Sequence, residues 1–173
     1  KDDWLLDSGP LMLKVSFHAL SCLDLLEGTK PNIPGIKSNI NFVDFLSIQT
    51  IVRSALETYL VLNYIYLDVS VGVRIKKLRY KIWHASSLSQ RQRQKVRTSI
   101  VIDMLKSEKS RYCELRRKIL RSKSFALKIS LKDKKSLMKK KPFDWKPMDG
   151  WLGVVKTAPM SEEFWTDTYN ILS

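Results

Sequence analysis

The chain has 173 residues and a net charge of +14, with six glycines, six prolines and two cysteines. This length suffices for one domain with a core, and so little glycine and proline favours long helices over a many-stranded β-fold. Two cysteines exclude a disulfide framework, and neither has zinc-ligand spacing to a histidine or a second cysteine, so we predict free thiols, a cytoplasmic location and no metal or cofactor.

The positive charge is concentrated in the middle of the chain. Residues 71–141 contain 24 Lys and Arg against 4 Asp and Glu, whereas the remaining residues contain 7 against 13. Such an asymmetry indicates a polyanionic partner, either nucleic acid or an acidic protein, and the alternative is a solvated, lysine-rich surface. We predict no membrane partner, because no stretch reaches 18 uncharged apolar residues and the basic helices lack a wide apolar face.

The first predicted helix covers residues 10–27 and ends at Gly28. Its apolar stripe is formed by residues that recur at three- and four-residue spacing: Leu13, Phe17, Leu20, Leu23 and Leu26. His18 lies beside this stripe, and we interpret it as a packed or surface histidine rather than a ligand. Residues 29–41 contain Pro31, Pro34 and Gly35, which predicts a loop.

The second predicted helix, residues 42–67, organises the rest of the chain. Apolar residues surround it after Ile51, which predicts the most buried helix of the fold. Arg53 and Glu57 lie one turn apart within it, and Thr50 precedes them by one turn. The pair is either a buried structural ion pair or part of a site in which the arginine binds a ligand and the glutamate orients it.

Residues 71–121 are predicted to form a basic helical hairpin. Its first helix covers about 71–85, a weak point follows at 86–90, and a second long helix continues from residue 91. The residues that we predict to contact nucleic acid are Arg91, Arg93, Arg97, Lys109, Arg116, Arg117 and Arg121. Arg79 and His84 also match the Arg-x4-His spacing of small helical ribonucleases, and we interpret this match as coincidence.

The C-terminal third contains shorter predicted elements. A small helix is predicted for 131–140, an ordered loop for 142–151, and a helix or turn for 150–157. Ser161 should cap a last helix whose buried face includes Phe164, Trp165 and Tyr169. The chain begins without methionine and ends within a helical pattern, so we expect it to be part of a longer protein.

Several short motifs, read in chain order, form a recognisable pattern. His18-Ala-Leu-Ser precedes Arg53-x3-Glu57 on the central helix, and Tyr169-x2-Leu172-Ser173 closes the chain. The pattern resembles an uncharacterised family of bacterial all-helical domains of unknown function, distantly similar to HEPN domains. In that family a histidine follows the Tyr-x2-Leu-Ser segment, which here would place it beyond Ser173.

The resemblance implies an all-α, HEPN-like single-domain bundle of five to seven helices spanning 1–173. It also implies an RNA-binding protein of a bacterial defence or toxin system that could act as a metal-independent endoribonuclease, with Arg53 and Glu57 in the site and Thr50 and Tyr169 lining it. RNA is favoured over DNA as the partner, and a homodimer is compatible with the pattern. The alternative is a non-enzymatic interaction protein whose basic face binds an acidic protein.

Overall fold

The structure, a computed structural model, describes residues 3–28, 42–94, 98–122, 150–159 and 161–171. The helices are α1 (Ser8–Glu27), α2 (Phe45–Leu62), α3 (Val73–Arg91), α4 (Ser99–Leu120), α5 (Gly150–Thr157) and α6 (Glu162–Ile171). A short 3-10 turn, Asp3–Leu5, precedes α1, and a π-helical turn, Asn63–Leu67, continues α2.

The predicted all-α class is confirmed. Four of the six helices are long, and the described ranges contain no strand. The chain divides into two compact units: unit 1 comprises Lys1–Leu67 and Val155–Ser173, and unit 2 comprises Asp68–Val154. The predictions for the loop at 29–41 and the helix at 131–140 concern segments outside the described residues.

Helices α1 and α2 pack along each other in unit 1. Gly28 ends α1 as predicted, with the positive φ of 85° that glycine adopts without a steric penalty. At the start of α2 the Asp44 carboxylate accepts a hydrogen bond from the Ser47 backbone N–H at 3.1 Å. This cap satisfies one of the helix's first N–H groups, and so α2 begins at Phe45, three residues later than predicted.

Helix α2 is buried only near its C-terminal end, from Thr58 onward, and α3 has more buried residues. This corrects the prediction that α2 is the most buried helix, with neighbours on most sides after Ile51. Phe45 and Leu46 are exposed, and continuous burial starts at Leu60 and runs to Ile65. This end of the helix is buried because the π-turn that follows it contacts residues distant in the chain. Within the π-turn the Asn63 side chain donates to the Thr157 carbonyl at 2.8 Å, and the Tyr66 ring stacks on Trp4 at 5.3 Å between centroids.

The predicted apolar stripe of α1 faces solvent, which also corrects the sequence interpretation. Phe17, Leu20 and Leu23 are each more than half exposed. The face against α2 is instead formed by half-buried side chains at a second three- and four-residue spacing, namely Leu11, Val15, His18, Cys22 and Leu25. Helix α1 therefore has two apolar faces, and the sequence pattern did not distinguish which of them α2 covers.

Unit 2 contains the predicted hairpin, with a different boundary between its helices. Leu78, Ile82, Ala85 and Leu88 of α3 form one buried cluster with Tyr112 and Ile119 of α4. Residues 86–90, predicted to be a weak point, are helical because Ala85 and Leu88 extend the apolar stripe into this core. The break lies after Arg91, and α4 begins at Ser99 rather than at residue 91.

Helix α3 begins at Val73, two residues later than predicted. The N-cap position is Gly72, and the Ser70 backbone N–H donates to Asp68 Oδ1 at 2.9 Å. Ser70 thus closes a turn on Asp68, and this turn fixes the carboxylate next to Arg79.

The C-terminal helices match the sequence reading in part. Ser161 Oγ accepts a hydrogen bond from the Phe164 N–H at 3.0 Å, so the predicted cap of α6 is confirmed. Trp165 is buried as predicted, whereas Phe164 is exposed, since the two side chains point about 100° apart around the helix. The side chain of Tyr169 lies outside the described residues.

Candidate functional site

The Arg53–Glu57 pair lies at the surface of unit 1. Arg53 Nε donates to Glu57 Oε1 at 3.2 Å, and the two side chains are 36% and 41% exposed. The interpretation as a dry, buried ion pair is therefore wrong. A guanidinium in this position is accessible from solvent, and its planar donor groups have the geometry that suits a phosphate or carboxylate ligand.

His18, which the sequence analysis interpreted as a packed or surface histidine, contacts the residue that follows Arg53 in the chain. His18 Nε2 of α1 is 3.1 Å from the hydroxyl oxygen of Ser54, the residue that follows Arg53 on α2. The sequence contained a signal for this contact, because His18 occupies the centre of the spacing that runs from Leu11 to Leu25. The neighbouring stripe is more apolar and therefore dominates the sequence pattern of this helix.

Of the two residues predicted to line the site, one can be placed. Thr50 is exposed and lies one turn before Arg53, and its hydroxyl donates to the Leu46 carbonyl at 3.0 Å. The hydroxyl is thus engaged with its own helix, although the threonine remains on the exposed part of α2. The position of the Tyr169 side chain opposite Arg53 stays a prediction.

The second candidate region is the outward face of α4 in unit 2, which is rich in cations. Its three carboxylates all form ion pairs: Asp103 with Lys106, Glu114 with Lys118, and Glu108 with Arg91 of α3. The Lys118 ammonium, chiefly through its hydrogen bond, holds the pKa of Glu114 below its ordinary value, and Arg117 and Arg111 contribute further positive charge. The carboxylates of this helix are therefore already matched with cations.

The predicted nucleic-acid residues divide into several groups. Lys109, Arg117 and Arg121 are exposed on α4 and its C-cap, and no ion pair among the described residues holds them. Arg93 is exposed after the end of α3, Arg116 is half-buried, and Arg97 lies outside the described residues. Arg91 is bound to Glu108 at 3.0 Å between Nε and Oε2, so its charge is partly neutralised.

Arg79 and His84 do not form a ribonuclease-like pair. Arg79 is buried and bound to Asp68, with Nη1 2.6 Å from Oδ2 and side chains 5% and 2% exposed. Five residues of helix rotate His84 away from Arg79, and its Nδ1 lies instead 3.0 Å from the Tyr80 hydroxyl. Arg79 therefore has a structural role within unit 2.

Comparison with known proteins gives no relative: no family model, curated protein or solved structure matches the chain.

In the described part of the chain, no three His, Cys, Asp or Glu residues are grouped so that they could hold a metal ion. One described helix, α1, is long and apolar enough to cross a membrane by length and composition.

Proposed function

We propose that the protein binds single-stranded RNA through a cationic face formed by Lys109, Arg117 and Arg121 of unit 2. The observation that carries the proposal is the charge balance on α4. Its carboxylates are held in ion pairs, while these three cations remain exposed along one side of the helix. Such a row attracts a phosphate backbone, because each bound phosphate releases condensed counterions.

The preference for RNA rests on the resemblance to HEPN-like domains, and the cationic face itself suits any extended polyanion. An acidic protein is the alternative partner. An acidic protein would bind to the same cations, but it has no bases that could stack on aromatic side chains. Competition between labelled RNA, single-stranded DNA of the same sequence and poly-glutamate therefore separates the three partners.

The experiment is a salt titration of RNA affinity measured by fluorescence anisotropy. With three phosphate contacts we expect a slope of about −2 in a plot of log K against log salt concentration. Reversal of all three charges, Lys109→Glu, Arg117→Glu and Arg121→Glu, should remove most of that slope without loss of helical circular dichroism. A flat titration of the unaltered protein would overturn the proposal.

The matched control reverses three cations at the start of α3: Arg74→Glu, Lys76→Glu and Lys77→Glu. It changes the net charge by the same amount, and acidic residues are favourable in the first turn of a helix. We expect this variant to retain most of the salt slope. If both variants lose affinity equally, the binding depends on net charge, and the assignment to the α4 face is wrong.

We further propose that Arg53 and Glu57 belong to a site of metal-independent RNA cleavage. Support comes from the exposure of the pair and from the nearby His18–Ser54 contact, which supplies an imidazole for acid–base chemistry. The assay is cleavage of labelled RNA in EDTA, compared between the unaltered protein and Arg53→Ala. Cleavage lost in Arg53→Ala would support the proposal, and binding without cleavage would leave RNA binding as the function.

A further inference from the structure

Three cations and a cysteine follow one another along α4 at a spacing of four residues. They are Lys109, Cys113, Arg117 and Arg121, hereafter the α4 row, and all four are exposed. Each step of four residues in an α-helix advances about 6 Å along the axis and turns by about 40°. The α4 row is therefore a ridge about 18 Å long that winds slowly around the helix.

The ridge on one side of the α4 row faces the core of unit 2. Its members, at the same four-residue spacing, are Tyr112, Arg116 and Leu120. Tyr112 is buried, and the other two are half-buried. This side of the row therefore offers little surface to a ligand.

The ridge on the other side is exposed, but its charges are balanced within α4. Lys118 Nζ lies 2.6 Å from Glu114 Oε1, and Lys106 Nζ lies 2.9 Å from Asp103 Oδ1. Within the ranges that the structure describes, no carboxylate pairs with a cation of the α4 row. A chain of phosphates should consequently follow the α4 row, since on the balanced ridge it would meet the Glu114 carboxylate.

The side chain of Arg117 lies along the row. Its Nε donates to the Cys113 carbonyl at 3.4 Å, which directs the guanidinium back toward position 113. The bond uses Nε, so the two terminal nitrogens can bind a phosphate. The one position of the row without a cation thus has a guanidinium beside it.

We propose that the α4 row binds consecutive phosphates of one extended nucleic-acid strand that runs along α4. Successive phosphates of such a strand are about 6–7 Å apart, close to one step of the row. The footprint is four phosphates, of which three contact Lys109, Arg117 and Arg121 and one faces Cys113. This inference rests on the proposed RNA binding and specifies its direction and length.

The first test adds the missing cation. Cys113→Lys should make the slope of log K against log salt concentration more negative by about 0.7, because a fourth bound phosphate releases its counterions. The affinity in about 50 mM salt should rise by about five-fold, measured by fluorescence anisotropy with the same RNA. Cys113→Ser should change neither quantity, because the thiol has no role in the contact.

The matched control places the same charge on the opposite side of α4. Met104 precedes Cys113 by nine residues, which is half a turn around the helix, and it is 48% exposed. Met104→Lys should leave the slope unchanged. If the unaltered protein has the expected slope but Cys113→Lys does not steepen it, or if both variants steepen it equally, the α4 row is wrong and RNA binding stands. A flat titration of the unaltered protein would overturn both proposals.

The second test measures the footprint with oligouridylates of increasing length. Five nucleotides contain four internucleotide phosphates, so the salt slope should grow up to five nucleotides and then stay constant. A slope that still grows between five and ten nucleotides would show that the phosphate contacts extend beyond the α4 row. That result would overturn the four-phosphate footprint without affecting RNA binding.

Discussion

Two arginine–carboxylate pairs in this protein show how burial changes the meaning of the same interaction. Arg53–Glu57 is more than a third exposed, whereas Arg79–Asp68 is almost completely buried. Water screens the first pair, so it contributes little to folding. The second pair has lost its hydration and depends on its own geometry.

The exposed pair should contribute little to stability. Arg53→Ala should lower the free energy of unfolding by less than about 1 kcal/mol, since exposed helix pairs with the basic residue first are weak. Urea denaturation measures the change. A loss of several kcal/mol would mean that Arg53 has a structural role and would weaken the case for a site.

The buried pair should behave in the opposite way. Arg79→Met leaves the Asp68 carboxylate buried without its guanidinium, and we expect a loss of about 3–5 kcal/mol in the free energy of unfolding. The control is Arg74→Met on the exposed side of α3, which should change stability by no more than about 0.5 kcal/mol. Similar losses of unfolding free energy in the two variants would show that the Asp68 carboxylate has enough hydrogen-bond partners without Arg79.

The same pair predicts a dependence of stability on pH. Burial by itself raises the pKa of Asp68, but hydrogen bonds from Ser70 and Arg79, together with the charge of Arg79, outweigh it and hold the pKa below the ordinary value. A lowered folded-state pKa stabilises the protein above the unfolded pKa of about 3.9, and this contribution is lost as the pH falls through the folded pKa.

We therefore expect the difference in unfolding free energy between the unaltered protein and Asp68→Asn to be constant from pH 7 to about 5 and to shrink below about pH 4. Taking the difference removes the contributions of Asp44 and Glu114, whose pKa values are also lowered. A difference that does not change with pH would contradict the assigned role of Asp68.

At the scale of the elements, the end of α2 depends on one side chain. Asn63 is buried and donates to both the carbonyl and the hydroxyl oxygen of Thr157, at 2.8 and 3.2 Å. This contact joins the π-turn to the end of α5 within unit 1, and it lies where burial of α2 is continuous. The π-turn therefore has an identifiable partner that side-chain periodicity does not reveal.

Asn63→Ala should lower the free energy of unfolding by about 1–3 kcal/mol, because the Thr157 carbonyl would lose its buried donor. Of these two contacts, Thr157→Val removes the longer one, to the hydroxyl oxygen, and should cost less. Thermal or urea unfolding of the two variants gives the comparison. An equal or larger loss in Thr157→Val would assign the contribution to the hydroxyl group.

At the scale of the whole molecule, the two units carry charges of opposite sign. By sequence, unit 2 contains 25 Lys and Arg against 7 Asp and Glu, whereas unit 1 contains 6 against 10. The sequence boundary between basic and acidic segments thus coincides closely with the boundary between the compact units. A polyanion should consequently bind the native state through unit 2.

Binding of this kind should raise the melting temperature. With RNA at 100 times its dissociation constant, the native state gains about 2.7 kcal/mol, an increase that calorimetry resolves. The shift should shrink strongly in 0.5 M salt, and it should be largely lost in the variant with reversed charges at Lys109, Arg117 and Arg121. A shift that salt does not reduce would indicate that the contact is not chiefly electrostatic.

Four features could be predicted from the sequence alone: the helical class, the end of α1 at Gly28, the Ser161 cap and the concentration of positive charge. These features depend on local periodicity, on single residues with special backbone or capping properties, and on composition. They are therefore readable without knowledge of neighbours.

Three features could be seen only in the three-dimensional fold: which apolar face of α1 meets α2, how far α3 extends, and which arginine is buried. Each of these depends on a contact between residues distant in the chain: His18 with Ser54, Leu88 with the α4 core, and Arg79 with Asp68 across a turn. Helix periodicity shows that a face is apolar, but the free energy of burial depends on which neighbour removes that face from water.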